Sequence, residues 1–153
     1  MYENTLIESW GLLGNYLEGE YAALVLIVST KRLSEPARNA LESSFAKLGY
    51  GRSACTFLCL DGFIEGSGSA TLGGKGLFAA IEGLDPLFLV ITDEGAGRLC
   101  AEAYKQPLVL DKRSRLFGRE LRAFASFESM LQSPEGKQRA WSLLKSLPGS
   151  GKP

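Results

Sequence analysis

Ala22-Ala23-Leu24-Val25-Leu26-Ile27-Val28-Ser29 is the stretch that decides the fold of this chain. Up to Val28 it is apolar without alternation, which is typical of a strand that is covered on both faces. A helix follows at once, with Ser34 as its N-cap, Pro36 in its first turn and Gly49 at its end. A buried strand that leads into a crossover helix predicts parallel pairing, and hence an α/β fold.

The same alternation of strand and helix continues along the chain. We predict buried strands over 54–60 and 87–92, with shorter candidates over 108–110 and 121–124. Predicted helices cover 4–18, 36–48, 77–82 and 94–104, and a last helix begins at Ser133-Pro134-Glu135. The expected fold is a three-layer α/β/α sandwich with a mostly parallel sheet of about four strands. Residues 1–147 form one domain and residues 148–153 form a flexible tail.

Composition restricts the function classes. The chain has 153 residues and no histidine, with 17 Lys and Arg against 17 Asp and Glu. Balanced charge excludes a strongly basic nucleic-acid-binding domain, so any contact with nucleic acid needs a local patch. Without histidine, acid–base catalysis by imidazole is excluded. No apolar run approaches the ~18 residues of a membrane span, so we expect no membrane contact.

The cysteines Cys55, Cys59 and Cys100 lie in apolar or helical segments, which favours reduced thiols and a cytoplasmic location. The start of the chain also lacks the basic and apolar regions of a secretory signal. Cys55 and Cys59 share one face of a strand, where core packing is favoured over a metal pair because no histidine completes a zinc site. We expect neither a metal nor a cofactor.

A glycine-rich segment, Gly62 to Gly76, contains six glycines in 15 residues. A phosphate-binding loop needs glycine six residues before its lysine and Ser or Thr after it. Around Lys75 those positions hold Ser69 and Gly76. The composition therefore favours a flexible connection.

Polar residues follow the predicted strands at their carboxyl ends, where open α/β sheets bind ligands. They are candidates for a cleft or ligand site: Ser29, Thr30, Lys31, Arg32, Asp61 and Asp93. The alternative is that they are ordinary turn residues, because Asp and Ser are common in turns.

A basic segment follows the third crossover helix. Its cations are Lys112, Arg113, Arg115, Arg119 and Arg122, accompanied by Phe117 and Phe124. Basic and aromatic side chains together can hold a phosphate backbone and stack bases, which predicts weak contact with an anion or nucleic acid. A solvated loop is the alternative.

The last third of the chain carries a family resemblance. The residues are Phe88 to Thr92, Glu94 to Tyr104, and Ser126-Phe127-Glu128-Ser129-Met130-Leu131-Gln132-Ser133-Pro134-Glu135-Gly136-Lys137 with Trp141, Leu144 and Lys145. This pattern resembles the C-terminal part of the uracil-DNA glycosylase superfamily, most of all its compact bacterial branch. The resemblance implies a uracil-DNA-glycosylase-like fold for the whole domain.

The departures from that family imply that the chain does not excise uracil. Ser126 stands where the family's His-Pro-Ser motif has histidine, which makes it a further cleft candidate. The first strand runs into Ser29-Thr30-Lys31-Arg32, without the acid or Asn that activates water in the family. Three cysteines also cannot supply the four thiolates of an iron–sulfur cluster.

A catalytically empty type of this fold occurs in the psi subunit of bacterial DNA polymerase III, which connects parts of the clamp-loader assembly. The similarity implies a non-catalytic accessory or protein-interaction domain linked to DNA replication or repair, with a protein partner. Two alternatives stay open. One is a hydrolase or nucleic-acid-processing enzyme that uses Asp61, Asp93, Lys31 or Arg32 in a remodelled cleft, and the other is a phosphate-ligand binder that uses the basic segment.

Overall fold

A computed structural model gives the fold of residue 8 and of residues 10–20, 24–63 and 70–148. The strands are Leu17–Gly19 (β1), Val25–Ser29 (β2), Cys55–Cys59 (β3), Phe88–Ile91 (β4), Arg113–Leu116 (β5) and Arg119–Ala123 (β6). The helices are Glu35–Lys47 (α1), Gly74–Leu84 (α2), Glu94–Tyr104 (α3), Phe127–Met130 (α4) and Pro134–Lys145 (α5). None of the described helices is long and apolar enough to cross a membrane.

The sheet is mixed and has the strand order β1-β3-β2-β4-β6-β5. The pairings of β2 with β3, β2 with β4, and β4 with β6 are parallel. The edge strands β1 and β5 pair antiparallel with β3 and β6. The predicted α/β class is confirmed, whereas the predicted count of about four strands is too low for this six-stranded sheet.

The differences from the predicted elements lie mainly at the sheet edges. Leu17 and Glu18 belong to β1, so the predicted helix over 4–18 extends too far. Residues 108–110 do not form a strand, because only Leu110 forms a bridge, to Ala123. Residues 1–7, 9, 21–23, 64–69 and 149–153 lie outside the described ranges, as do the parts of the predicted helix, first strand, glycine-rich segment and tail that fall there.

Helices cover both faces of the central strands. On one face Leu26 and Val28 of β2 pack in a core with buried residues of α2 and α3. On the other face Val25 and Ile27 pack in a core with buried residues of α1, α4 and α5. Continuous burial of β2 explains why its sequence shows no alternation.

The cysteines belong to these two cores. Cys55 and Cys59 lie on the same face of β3, and Cys100 lies in α3 against the opposite face. Burial raises the pKa of the Cys55 and Cys100 thiols to about 12 and raises that of Cys59 as well. The thiols are therefore neutral packing groups.

The predicted helix caps are present. The Ser34 hydroxyl accepts a hydrogen bond from the Ala37 amide at 3.2 Å, and Gly49 after α1 has a φ of 97°. The Ser133 hydroxyl accepts from the Gly136 amide at 3.0 Å. Each serine satisfies one of the amides that a helix start leaves without a partner.

Gly136 also lies at a close approach between α5 and the segment before it. A Cβ atom at this position would lie 2.2 Å from the carbonyl oxygen of Met130. Because that neighbour is backbone, the contact cannot be relieved by a side-chain rotation. Glycine is therefore required for α4 and α5 to meet at this distance.

We expect Gly136→Ala to lower the free energy of unfolding by about 1–3 kcal/mol, as overpacking of a tight contact does. Gly14→Ala is the matched control, because its Cβ would meet no atom within 4 Å. The control should change stability by no more than about 0.5 kcal/mol. Urea denaturation followed by circular dichroism measures both, and equal stabilities of the two variants would contradict the close approach.

Candidate functional site

The carboxyl ends of β2, β3, β4 and β6 meet along one edge of the sheet, the carboxyl edge. A cavity of about 270 Å³ there is lined by Thr30, Lys31, Arg32, Asp93, Ser126 and Glu128, among others. Asp61 lies beside it and pairs with Lys31, while Ser29 is buried at the end of β2. The structure thus brings together the side chains that the sequence suggested as cleft residues.

Asp93 connects two central strands and a helix. One carboxylate oxygen accepts hydrogen bonds from the Thr30 hydroxyl at 2.6 Å and from the Ala96 amide at 2.8 Å. The other accepts from the Thr30 amide at 2.8 Å. Asp93 is therefore the N-cap of α3 and also fixes the turn after β2. With three donors already bound to it, this carboxylate has a structural role at the edge.

Glu128 and Ser126 are also engaged. The Glu128 carboxylate accepts from both the amide and the hydroxyl of Ser34, at 2.8 and 2.7 Å, and so joins the start of α4 to the start of α1. Ser126 is the N-cap of α4, where its hydroxyl accepts from the Ser129 amide at 3.1 Å. Both side chains therefore form hydrogen bonds that stabilise the starts of helices.

Asp61 is an acid of the carboxyl edge whose pKa is shifted by its neighbours. The Thr71 hydroxyl donates to it at 2.8 Å, and Lys31 lies 3.2 Å away. Mainly the hydrogen bond from Thr71, and secondarily Lys31, lower the pKa of Asp61, although partial burial opposes them. A lowered pKa is the reverse of what a general acid or base near neutral pH requires. Arg32 is likewise held in an ion pair, with Glu18 at 3.3 Å.

The basic segment separates into buried and exposed cations. The Arg122 side chain is 0% exposed and forms an ion pair with Glu120 at 3.1 Å. Its guanidinium also donates to the carbonyl oxygens of Leu143 and Ser146, both at 3.3 Å, and of Ser114 at 3.1 Å. Arg122 lies on the face of β6 that α5 covers, so it holds that helix on the sheet and does not face solvent.

Arg119 is also committed to the fold. It pairs with Glu82 at 3.2 Å and Asp85 at 2.9 Å, and its side chain is 12% exposed. The exposed cations of the segment are Lys112, Arg113 and Arg115. The predicted nucleic-acid or anion contact is therefore confined to these three side chains and stays a prediction.

A larger cavity, which sequence reasoning missed, runs between α1 and the α4–α5 pair. This α1–α5 groove has a volume of about 650 Å³ and its lining includes Ala40, Ser43, Phe127, Leu131, Lys137 and Trp141. Trp141 is only half-buried, with the Lys47 ammonium 5.6 Å from its ring centroid. The small residues Ala40 and Ser43 on α1 were the available signal, because small side chains leave space between neighbouring helices.

The described ranges contain no candidate metal-binding site. Among those residues there is no group of three or more His, Cys, Asp or Glu side chains that could hold a metal ion.

No protein-family model matches the chain, and a search of curated proteins found no match. The resemblance to uracil-DNA glycosylases therefore rests on the sequence pattern alone.

The geometry gives the two acids of the carboxyl edge different roles in stability. Asp93→Ala should lower the free energy of unfolding by about 2–4 kcal/mol, because it removes a helix cap and leaves the Thr30 amide without a partner. Asp61→Ala removes an exposed pair and should cost no more than about 1 kcal/mol. Urea denaturation of both variants measures the difference. Equal losses would show that Asp93 does not have the structural role assigned to it.

Proposed function

We propose that this chain is a non-catalytic protein-interaction domain whose α1–α5 groove receives an amphipathic helix of a partner protein. The observation that carries the proposal is the groove itself, about 650 Å³ of space between α1 and the α4–α5 pair with a half-buried tryptophan on its wall. Grooves between helices commonly bind amphipathic helices through apolar side chains at helical spacing.

Apolar side chains supply the anchoring surface. Phe127 and Leu144 are buried in the groove, while Leu131 and Trp141 are half-buried and offer their remaining surface to a partner. Tryptophan gives large contact area at low entropic cost and is enriched among residues that dominate binding energy. The partner helix should therefore present leucine-sized or aromatic residues toward Trp141.

The charge of the groove selects the polar part of the partner. Lys137 lines the groove and forms no ion pair with the residues that the structure describes. Glu128, the acid in the lining, already accepts two hydrogen bonds from Ser34. Lys137 is therefore the charged group of the lining that has no partner within the described residues, so we infer that the partner helix carries an acidic residue opposite Lys137.

The carboxyl edge supports a non-catalytic role. Its acids Asp93 and Glu128 accept hydrogen bonds from backbone amides after the end of β2 and at the start of α1, and the chain has no histidine. We propose a glycosylase-like fold without uracil excision, comparable to the psi-subunit type. The link to DNA replication or repair rests on the sequence resemblance over 126–145.

A display library of random 16-residue peptides tests the groove and does not require that the partner be identified first. We expect wild-type protein to enrich peptides with apolar residues at helical spacing and at least one acidic residue. Ala40→Arg places a long cation inside the groove, so the enriched peptides should bind it at least about ten-fold more weakly, as fluorescence anisotropy measures. Ala79→Arg on the exposed surface of α2 is the matched control and should bind them like wild type.

Two outcomes would overturn the proposed function. Enriched peptides that bind Ala40→Arg and Ala79→Arg equally would show that the groove is not the binding surface. Release of uracil from single- or double-stranded DNA by pure protein, abolished by substitution of a carboxyl-edge residue, would show an enzyme in place of a non-catalytic domain.

A further inference from the structure

A second large cavity lies on the other flank of α5 from the α1–α5 groove. This second cavity has a volume of about 640 Å³, and its polar lining includes Asp111, Arg113, Ser126, Ser129, Arg139 and Ser142. Arg113 comes from β5 and Arg139 from α5, so two separate elements each bring a guanidinium to the same cavity. Two guanidinium groups at one cavity attract a negatively charged ligand.

The structure itself supplies little negative charge at this cavity. Arg113 and Arg139 form no ion pair with the described residues. Asp111 lines the cavity too, but its carboxylate lies beyond ion-pair distance of both. One acid against two exposed arginines leaves the lining positively charged.

The neighbourhood of Arg113 adds to this imbalance. Arg113 lies directly opposite Arg122 in the β5–β6 ladder, and like charges in that arrangement repel each other. Burial is the main cause that lowers the pKa of Arg122, and the charge of Arg113 lowers it further. Glu120 forms an ion pair with Arg122, at 3.1 Å, and forms none with Arg113. The charge of Arg113 is therefore available to a ligand.

Hydroxyl and apolar groups complete the cavity. The Ser126 and Ser129 hydroxyl oxygens lie 3.0 Å apart, and Ser129 and Ser142 are exposed. Hydroxyls beside arginines are donors suited to phosphate oxygens. Met130 and Leu143 in the same lining offer apolar surface next to these donors.

We propose that the second cavity binds the phosphate group of a small phosphomonoester, with Arg113 and Arg139 as its charged contacts and the Ser129 and Ser142 hydroxyls as further donors. Guanidinium binds phosphate through two parallel hydrogen bonds, so each arginine contributes direction as well as charge. A volume of about 640 Å³ is within the range of small-molecule sites. The apolar lining suits an organic group attached to the phosphate.

Isothermal titration calorimetry at low ionic strength tests the site with inorganic phosphate, phenyl phosphate and phenol. We expect both phosphates to bind, phenyl phosphate more tightly, and phenol not to bind. Arg113→Gln and Arg139→Gln should each weaken phenyl phosphate binding by about ten-fold or more, because each removes charge-assisted hydrogen bonds. Arg98→Gln, which removes an exposed arginine of α3 outside the cavity, should bind like wild type.

Three results would overturn the proposal. If neither phosphate binds, or if wild type and both glutamine variants bind equally, the cavity is not a phosphate site. If single-stranded oligothymidylate binds more tightly than phenyl phosphate and loses that binding in both variants, the cavity contacts nucleic acid and not a small phosphomonoester. Because this cavity and the α1–α5 groove lie on opposite flanks of α5, Ala40→Arg should leave phosphate binding unchanged, so the two proposals fail independently.

Discussion

The carboxylate of Asp93 is the constraint on which the carboxyl edge of the sheet depends. It accepts hydrogen bonds from Thr30 after β2 and from Ala96 in α3, and so fixes the ends of two adjacent central strands relative to a helix. On the other face Glu128 joins the starts of α1 and α4 through Ser34. Parallel sheets usually offer their carboxyl edge to ligands. Here Asp93 and Glu128 stabilise the fold, and two large cavities lie along α5 instead.

The position of α5 depends in turn on a buried cation. Arg122 donates to carbonyl oxygens at the end of α5 and forms an ion pair with Glu120. Removal of a guanidinium from water is costly unless its donors are satisfied, and here several acceptors surround it. This contact holds α5 between the groove that faces α1 and the cavity that faces Arg113. Both proposed sites therefore rely on the one polar cluster that Arg122 forms with α5 and Glu120.

The strongest sequence signals were those that arise from local physics. Continuous apolar runs predicted the buried strands β2 and β4, and the hydroxyls of Ser34 and Ser133 predicted two helix starts, because burial and capping act over a few neighbouring residues. The edge strands β1 and β5 carry no such run, since each has a partner on only one side. The role of Arg122 was not readable from its charge, because only the position of α5 decides that it is buried. Asp93 shows the same ambiguity, since an acid after a strand is equally a catalytic candidate and a helix cap.

Native-state hydrogen exchange at the carboxyl edge tests the central claim, that its acids are structural, most directly. The amides of Thr30, Ser34 and Ala96 donate to Asp93 and Glu128 at 2.8 Å. If these bonds hold the edge together, the Thr30 and Ala96 amides should exchange only through large openings, with protection close to that of the β2 and β4 amides. Exchange of both amides at the rate of an unstructured peptide would contradict the claim and leave Asp93 available for chemistry.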